Sequence, residues 1–197
     1  MTQKFFPTID TDRLVLRPLD SGDAEALFKI FSDAEVMRYW NTPPWRSLDD
    51  ARTFIASSVE SMERQEAMTL GISLKDTGEI IGKCMLFNYE AESKRAEIGF
   101  GIGSQHWGHG FIAEAGKALL DYAFETAGLR RVEAEIDPEN TSSAKALERL
   151  GFVKEGLLRK RWEIDGVVSD SALYGLLDSD RPAHNNSFKP TPLRGAA

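Results

Sequence analysis

Ala96-Glu97-Ile98-Gly99-Phe100-Gly101-Ile102-Gly103-Ser104-Gln105-His106-Trp107-Gly108-His109-Gly110-Phe111-Ile112-Ala113-Glu114-Ala115 reads as a strand that passes through a glycine-rich loop into a helix. The unpaired N–H groups of a helix's first turn carry partial positive charge. Gly108 and Gly110 remove the side chains that would hold a phosphate away from them. Such a nest of amides can grip a pyrophosphate without a lysine. Two phosphate-binding patterns fit these residues. Gly108-x-Gly110-x-x-Ala113 satisfies the dinucleotide fingerprint, with Glu133 and Glu135 roughly 20 residues on where an acid could hold a ribose. That fingerprint normally opens an alternating βαβ sheet, whereas here it follows strands joined without helices. Gln105-x-x-Gly108-x-Gly110 is the other pattern.

Outward from this loop the chain changes character. On its N-terminal side, Thr69 to Leu74 and Ile80 to Tyr89 flank the turn Lys75-Asp76-Thr77-Gly78-Glu79 and read as a hairpin, followed by a strand from Arg95 to Ile102. Three strands without an intervening helix imply an antiparallel section. Earlier, Arg13-Leu14-Val15-Leu16-Arg17 alternates as a short strand. Ser21 and Asp23 offer caps for a helix through Leu27 and Phe31, and Ser47 with Asp50 opens a second helix through Ala51 and Met62. On the C-terminal side the spacing predicts a helix from about Gly110 to Thr126 and a strand from Arg131 to Ile136. A short helix from Ser142 to Leu150 follows, then two strands, Phe152–Arg161 and Val167–Leu177, joined through Asp165-Gly166. The order is mixed α+β with one parallel crossover.

The chain has 197 residues, 42% apolar and 28% charged, which suits one domain with a true core. No stretch approaches the roughly 20 apolar residues of a membrane span, and the N-terminus lacks a secretory apolar core. Cys84 is the only cysteine, so no disulfide forms within one chain; its strand setting predicts a buried apolar role. These readings point to a cytoplasmic protein. Net charge is −7; from Ser179 onward three basic residues face one acid, which leaves −9 for residues 1–178. That balance argues against nucleic-acid binding and suits a cationic partner. Residues 1–178 are expected to form the domain and 179–197, rich in Pro, Asn, Ser, Gly and Ala, a disordered tail. His106 and His109 lack a third ligand nearby, so no metal is expected.

With these motifs in place, the sequence resembles the GNAT superfamily of acetyl-CoA-dependent N-acetyltransferases, whose signature is Q/R-x-x-G-x-G/A. The likeness covers about residues 8–177. It is closest to the RimJ/RimL-like branch, which acetylates ribosomal-protein N-termini. Five segments carry it: Arg13–Arg17, Ala96–Gly99, Trp107–Gly110, Asn140–Ser143 and Leu150–Phe152. The resemblance implies a central mixed, mostly antiparallel sheet, splayed at a cofactor slot and flanked by helices. It implies acetyl-CoA as co-substrate, a primary amine as acceptor, and a monomer or homodimer. A protein N-terminal amine is the first expected acceptor, with a polyamine, amino acid or aminoglycoside as the alternative. A non-catalytic acyl-CoA sensor is the reading from another class.

By the same resemblance, Phe100, Gly101 and Ile102 would contact pantetheine, and Gln105, His106, Trp107, Gly108, His109, Gly110, Phe111 and Ile112 would hold the pyrophosphate. Asn140 would lie beside pantetheine and Ser143 near the sulfur. Glu97 matches the position of a general base in histone-acetylating relatives, although a glutamate near Lys94 and Arg95 also fits a solvent-facing place. Many relatives carry a tyrosine acid four residues before the glycine of Leu-Gly-Phe; here that residue is Leu147, so Ser143 is the substitute for protonating the thiolate. Tyr39, Trp40, Trp45 and Trp162 are candidates for lining the amine's approach, with core packing the competing role for Tyr39 and Trp45.

Overall fold

The computed structural model describes residues 7–181. An eight-stranded sheet runs through it, comprising β1 (Ile9–Asp10), β2 (Leu14–Pro18), β3 (Met68–Leu74), β4 (Ile80–Glu90), β5 (Arg95–Ile102), β6 (Arg131–Ile136), β7 (Val153–Ile164) and β8 (Val167–Leu177). Their order is β1-β2-β3-β4-β5-β6-β8-β7. Every neighbouring pair is antiparallel except β5 and β6. The parallel pair needs a crossover, which α4 (Phe111–Asp121) and a wide π turn, Tyr122–Thr126, provide.

Two apolar clusters sandwich the sheet. One packs Leu119, Ala115 and Leu147, from α4 and α5 (Thr141–Arg149), against Ala96, Ile98, Ile102, Val132 and Ala134. The other lies beneath α1 (Ala24–Phe31), α2 (Ala34–Met37) and α3 (Leu48–Glu63), around Leu27, Phe31, Met37 and Ile55. Because side chains alternate across a strand, Glu97, Gly99 and Gly101 face the second layer while Ala96, Ile98 and Ile102 face the first.

Several local features differ from the sequence reading. Asp20, rather than Ser21, caps the first helical turn: its carboxylate accepts from the Gly22 N–H at 2.8 Å, and the Asp23 carboxylate accepts from the Asp20 N–H at 2.9 Å. The short β1 and α2 lacked enough residues to show a period. In α3 the Asp50 carboxylate accepts from the Arg46 and Ser47 N–H groups, as the capping pattern predicts. Three of the residues expected to belong to the tail, Ser179, Asp180 and Arg181, are described. Asp178–Asp180 form a 3-10 turn, and Arg181 pairs with Asp121 and Glu125 with its guanidinium 4.9 Å from the Phe124 ring. Those three residues belong to the folded body, and 182–197 lie outside the described residues.

Cys84 is 1% exposed and burial pushes its thiol up to about 12, in keeping with an apolar role. No helix among the described residues is long and apolar enough to cross a membrane.

Candidate active site at the splay between two parallel strands

β5 and β6 pair through only three residues, Arg95–Arg131, Ala96–Val132 and Glu97–Glu133. Beyond Glu97 the strands part, while β5 stays paired with β4 without interruption from Glu97 to Ile102. The backbone edge of residues 98–102 therefore has no strand neighbour on the β6 side, an opening that an extended ligand can fill by hydrogen bonding like an added strand. The separation needs no bulge in β5; the nearest irregularity lies between Phe87 and Glu90.

A cavity of about 770 Å³ opens from this split. Of the residues singled out from the sequence, Glu97, Phe100, Asn140, Ser143, Tyr39, Trp40 and Trp162 line it. Glu97 accepts a hydrogen bond from the Asn88 side-chain amide at 2.9 Å, which fixes one carboxylate oxygen. Asn140 caps α5, its side-chain oxygen accepting from the Ser143 N–H at 3.0 Å. The cap of this helix is therefore Asn140 and not Ser143. Leu147, where a tyrosine was sought, also lines the cavity and is fully buried.

Trp45 does not line the cavity. Its ring packs 5.2 Å from Phe31 and 5.4 Å from Phe54, so core packing is the role the structure assigns it. Gly101 is bare on the helical-layer side for a visible reason: a Cβ there would lie 2.6 Å from the Trp40 indole.

The wall also contains acids that sequence reasoning did not place here. Glu135, Asp137, Asp165 and Asp170 join Glu97, against Arg38 and Arg161. Alternation along β6 was a usable signal, since it sets Glu135 on the same face as Glu133, the register partner of Glu97. Glu135 accepts from Arg161 at 3.1 Å and from the Trp162 indole N–H at 3.0 Å. A register break between Leu158 and Trp162, with Lys160 at φ 52°, interrupts the plain edge strand expected there.

The glycine loop lies apart from that cavity, at the far end of β5. Ser104–His106 make a 3-10 turn, and Gly108 and Gly110 take φ values of 78° and 79°, which disfavour any side chain. A Cβ on Gly108 would meet nothing within 4 Å, so its backbone is open to an approaching group. Gly110 precedes the first turn of α4, where the unpaired amides gather. The Trp107 indole donates to the Ile102 carbonyl at 3.1 Å and so ties the loop to the end of β5.

A brace arrives from β2's side of the sheet. The Arg13 guanidinium donates to the His109 carbonyl at 3.0 Å and to Glu114 at 2.7 Å, and lies 4.6 Å from the Phe111 ring centre. Although burial opposes it, hydrogen bonds from Thr11 and Arg13 hold the Glu114 carboxyl below its usual range. The outer arginine of the Arg-Leu-x-Leu-Arg strand thus fastens the loop, while Arg17 makes a two-pronged pair with Asp23 at 2.8 and 2.7 Å. We expect Arg13→Ala to speed amide hydrogen exchange in residues 105–112 by roughly tenfold, the equivalent of ~1.4 kcal/mol of lost local restraint. Unchanged exchange there would remove the brace from the account.

The chain matches the model of the acetyltransferase (GNAT) domain over residues 13–153. It is 40% identical over 170 residues to the N-acetyltransferase p20 of Bacillus licheniformis, covering 86% of this chain and 96% of that one. It is 26% identical over 169 residues to the spermidine N(1)-acetyltransferase of Vibrio cholerae, covering 85% and 94%. Among solved structures, RimJ of Mycobacterium smegmatis, in complex with CoA-disulfide, superposes with a TM-score of 0.83 at 24% identity and 93% coverage of both chains, a likeness of fold. A mixed sheet that splits beside a glycine loop, carried on this sequence, therefore has a family: the chain belongs to the GNAT acetyltransferases and is an acetyl-CoA-dependent N-acetyltransferase.

Proposed function

We propose that the chain acetylates a primary amine of a cationic acceptor and that Glu97 takes the amine's proton. One observation carries this reading: Glu97 stands at the last paired position before β5 and β6 separate, facing a cavity with five carboxylates against two guanidinium groups. A positive acceptor is drawn into such a wall, and an ammonium must lose a proton before its nitrogen can attack.

The residues present suit acetyl-CoA. Gly108 and Gly110 leave the amides at the start of α4 approachable by a diphosphate, and residues 98–102 offer a free strand edge to pantetheine. In this reading Gln105 to Ile112 hold the diphosphate, Phe100 to Ile102 the pantetheine, and Asn140 flanks its reactive end. Acetyl-CoA brings a thioester carbonyl that an uncharged amine can attack. Glu97, oriented by Asn88, accepts one proton from the ammonium directly or through a water molecule. A backbone N–H on the free edge of β5 stabilises the negative charge that grows on the carbonyl oxygen. The nitrogen–carbon bond forms, the carbon–sulfur bond breaks, and the nitrogen gives up its second surplus proton as the departing sulfur takes one up, so that one net proton, held by Glu97, is released to solvent. Among the described residues the Ser143 hydroxyl has no hydrogen-bond partner, and it can give a proton to the departing sulfur; a thiolate also leaves tolerably without one, given its pKa of about 8.5.

The acid-rich wall favours a polyamine, which carries several charges to meet it. A protein N-terminal amine is the second reading. It is supported by the exposed residues 41–44 at the cavity's rim, where a polypeptide could cross, and by the fold shared with RimJ. The test is CoA release from acetyl-CoA with spermidine and with basic N-terminal peptides in parallel. Faster turnover of spermidine supports the first reading and faster turnover of peptides the second. Tight acetyl-CoA binding with no turnover of either would overturn both in favour of a sensor.

A further inference from the structure

Lys83 is the most unusual charged residue in the fold. It sits on β4 opposite Gly101 of β5, on the face covered by the helical layer, and is 5% exposed. Its ammonium takes part in no ion pair or hydrogen bond among the described residues. Its amine lies instead among four aromatic rings, 3.7 Å from the centre of Phe54, 4.6 Å from Phe31, 5.1 Å from Trp40 and 5.8 Å from Trp45. Ring faces attract a cation, most strongly where water is excluded.

Those rings belong to three separate pieces of chain. Phe31 ends α1, Phe54 lies in α3, and Trp40 and Trp45 bracket the irregular stretch between α2 and α3. That stretch forms one wall of the acceptor cavity from Arg38 to Pro44. At its ends the Trp40 N–H donates to Met37 and the Trp45 N–H to Phe31, but residues 41–44 make no backbone-to-backbone hydrogen bond among the described residues. Two prolines, Pro43 and Pro44, have no N–H to give. The two tryptophans are therefore what anchors the wall, and the Lys83 amine, reaching up from the sheet, lies near both rings. Trp40 in addition lies against the bare face of Gly101, so any shift of its indole changes the cavity beside Glu97.

We propose that Lys83 is a positioning residue for the acceptor: held in its cage of rings, its ammonium fixes Trp40 and Trp45 and so sets the wall that residues 38–44 present to the incoming amine. The inference deepens the acceptor reading above and rests on it for the meaning of the wall. Burial pushes the Lys83 amine down to about 7, and the ring faces work against that by favouring the charged form, so the share of ammonium grows as the pH is lowered.

Lys83→Met separates this role from a purely structural one. Methionine keeps most of the volume and packs well on rings, while the cost of burying an unpaired charge disappears. The melting temperature of Lys83→Met should match or exceed that of the parent. At pH 6.5 its KM for spermidine should rise roughly three- to thirtyfold, as loss of a desolvated ring–cation contact implies, with kcat and the acetyl-CoA KM within about twofold. A second arm needs no acceptor. Arg38 and Arg46 are exposed at the two ends of the wall, and trypsin should cut Lys83→Met there several times faster than the parent. In Lys83→Ala, propylammonium, the shape of the missing side chain, should slow that cutting, and 1-propanol should not.

An unchanged cutting rate, equal effects of propylammonium and propanol, or a fall of more than several degrees in the melting temperature of Lys83→Met would each overturn the proposal. If the parent turns over no spermidine, the polyamine reading fails while the trypsin arm still judges Lys83. If the parent does turn it over and the Lys83→Met KM is unaltered, the Lys83 proposal alone fails.

Discussion

Gly110→Glu weakens acetyl-CoA binding by about a hundredfold or more, read by calorimetric titration. Gly110 has φ 79°, and a side chain in that left-handed region strains the backbone by roughly 1–2 kcal/mol. The larger effect is electrostatic. The new carboxylate stands at the start of α4, where the amides would hold the diphosphate, and like charges about 4 Å apart repel by roughly 1–4 kcal/mol near a protein surface. The two contributions separate by a control. Gly128 has a similar φ of 69° with nothing within 4 Å, and it lies beyond the π turn, far along the chain from the loop. Gly128→Glu therefore reproduces the strain without the charge at the loop, lowering the melting temperature and leaving acetyl-CoA affinity alone. Equal losses of affinity in both variants would trace the effect to folding and remove the loop from the cofactor site.

Glu97→Gln lowers kcat by about 10² to 10⁴, the usual range for a general base. Glutamine keeps the shape and can still pair with Asn88, so the loss reports proton transfer. The pH dependence is the sharper sign. With a carboxylate in place, a bound ammonium can be deprotonated on the enzyme. Without one, only acceptor that is already uncharged reacts, and that fraction drops tenfold for each unit below the amine pKa. The ratio of parent to variant rates should widen as pH falls. Parallel pH–rate profiles for the two proteins would show that Glu97 only lines the cavity.

How far these features could be read in advance depended on how local their causes are. The bounds of β5 and β6 match the alternation of their residues, because a half-buried strand writes its period directly into the chain. The hairpins around Gly78 and Gly166 were visible through their turn residues, both glycines taking positive φ. The glycine loop and its helix were legible for the same reason, and the place of Glu97 came from family likeness. Arg13 reaching Glu114 and the rings around Lys83 bring together residues tens of positions apart, which no local pattern encodes, and of the acids beside Glu97 only Glu135 had a local signal, the alternation of β6. Trp45 illustrates the limit: next to two prolines it read equally as rim or core, and only packing against Phe31 and Phe54 decided it. Lys83 lies within the run from Ile80 to Tyr89 that reads as a strand, and the sheet register puts it under two tryptophans.

Everything in the proposed chemistry depends on a diphosphate being clasped by the amides between Gln105 and Ile112. The direct measurement is a thermodynamic cycle in which CoA and pantetheine, which lacks the diphosphate, are each titrated into the parent and into Gly110→Glu. CoA should bind the parent far more tightly than pantetheine does, and that advantage should shrink by about a hundredfold in Gly110→Glu while pantetheine binding hardly changes. If the variant keeps the parent's full preference for CoA, the diphosphate is held somewhere else and the account of this loop is wrong.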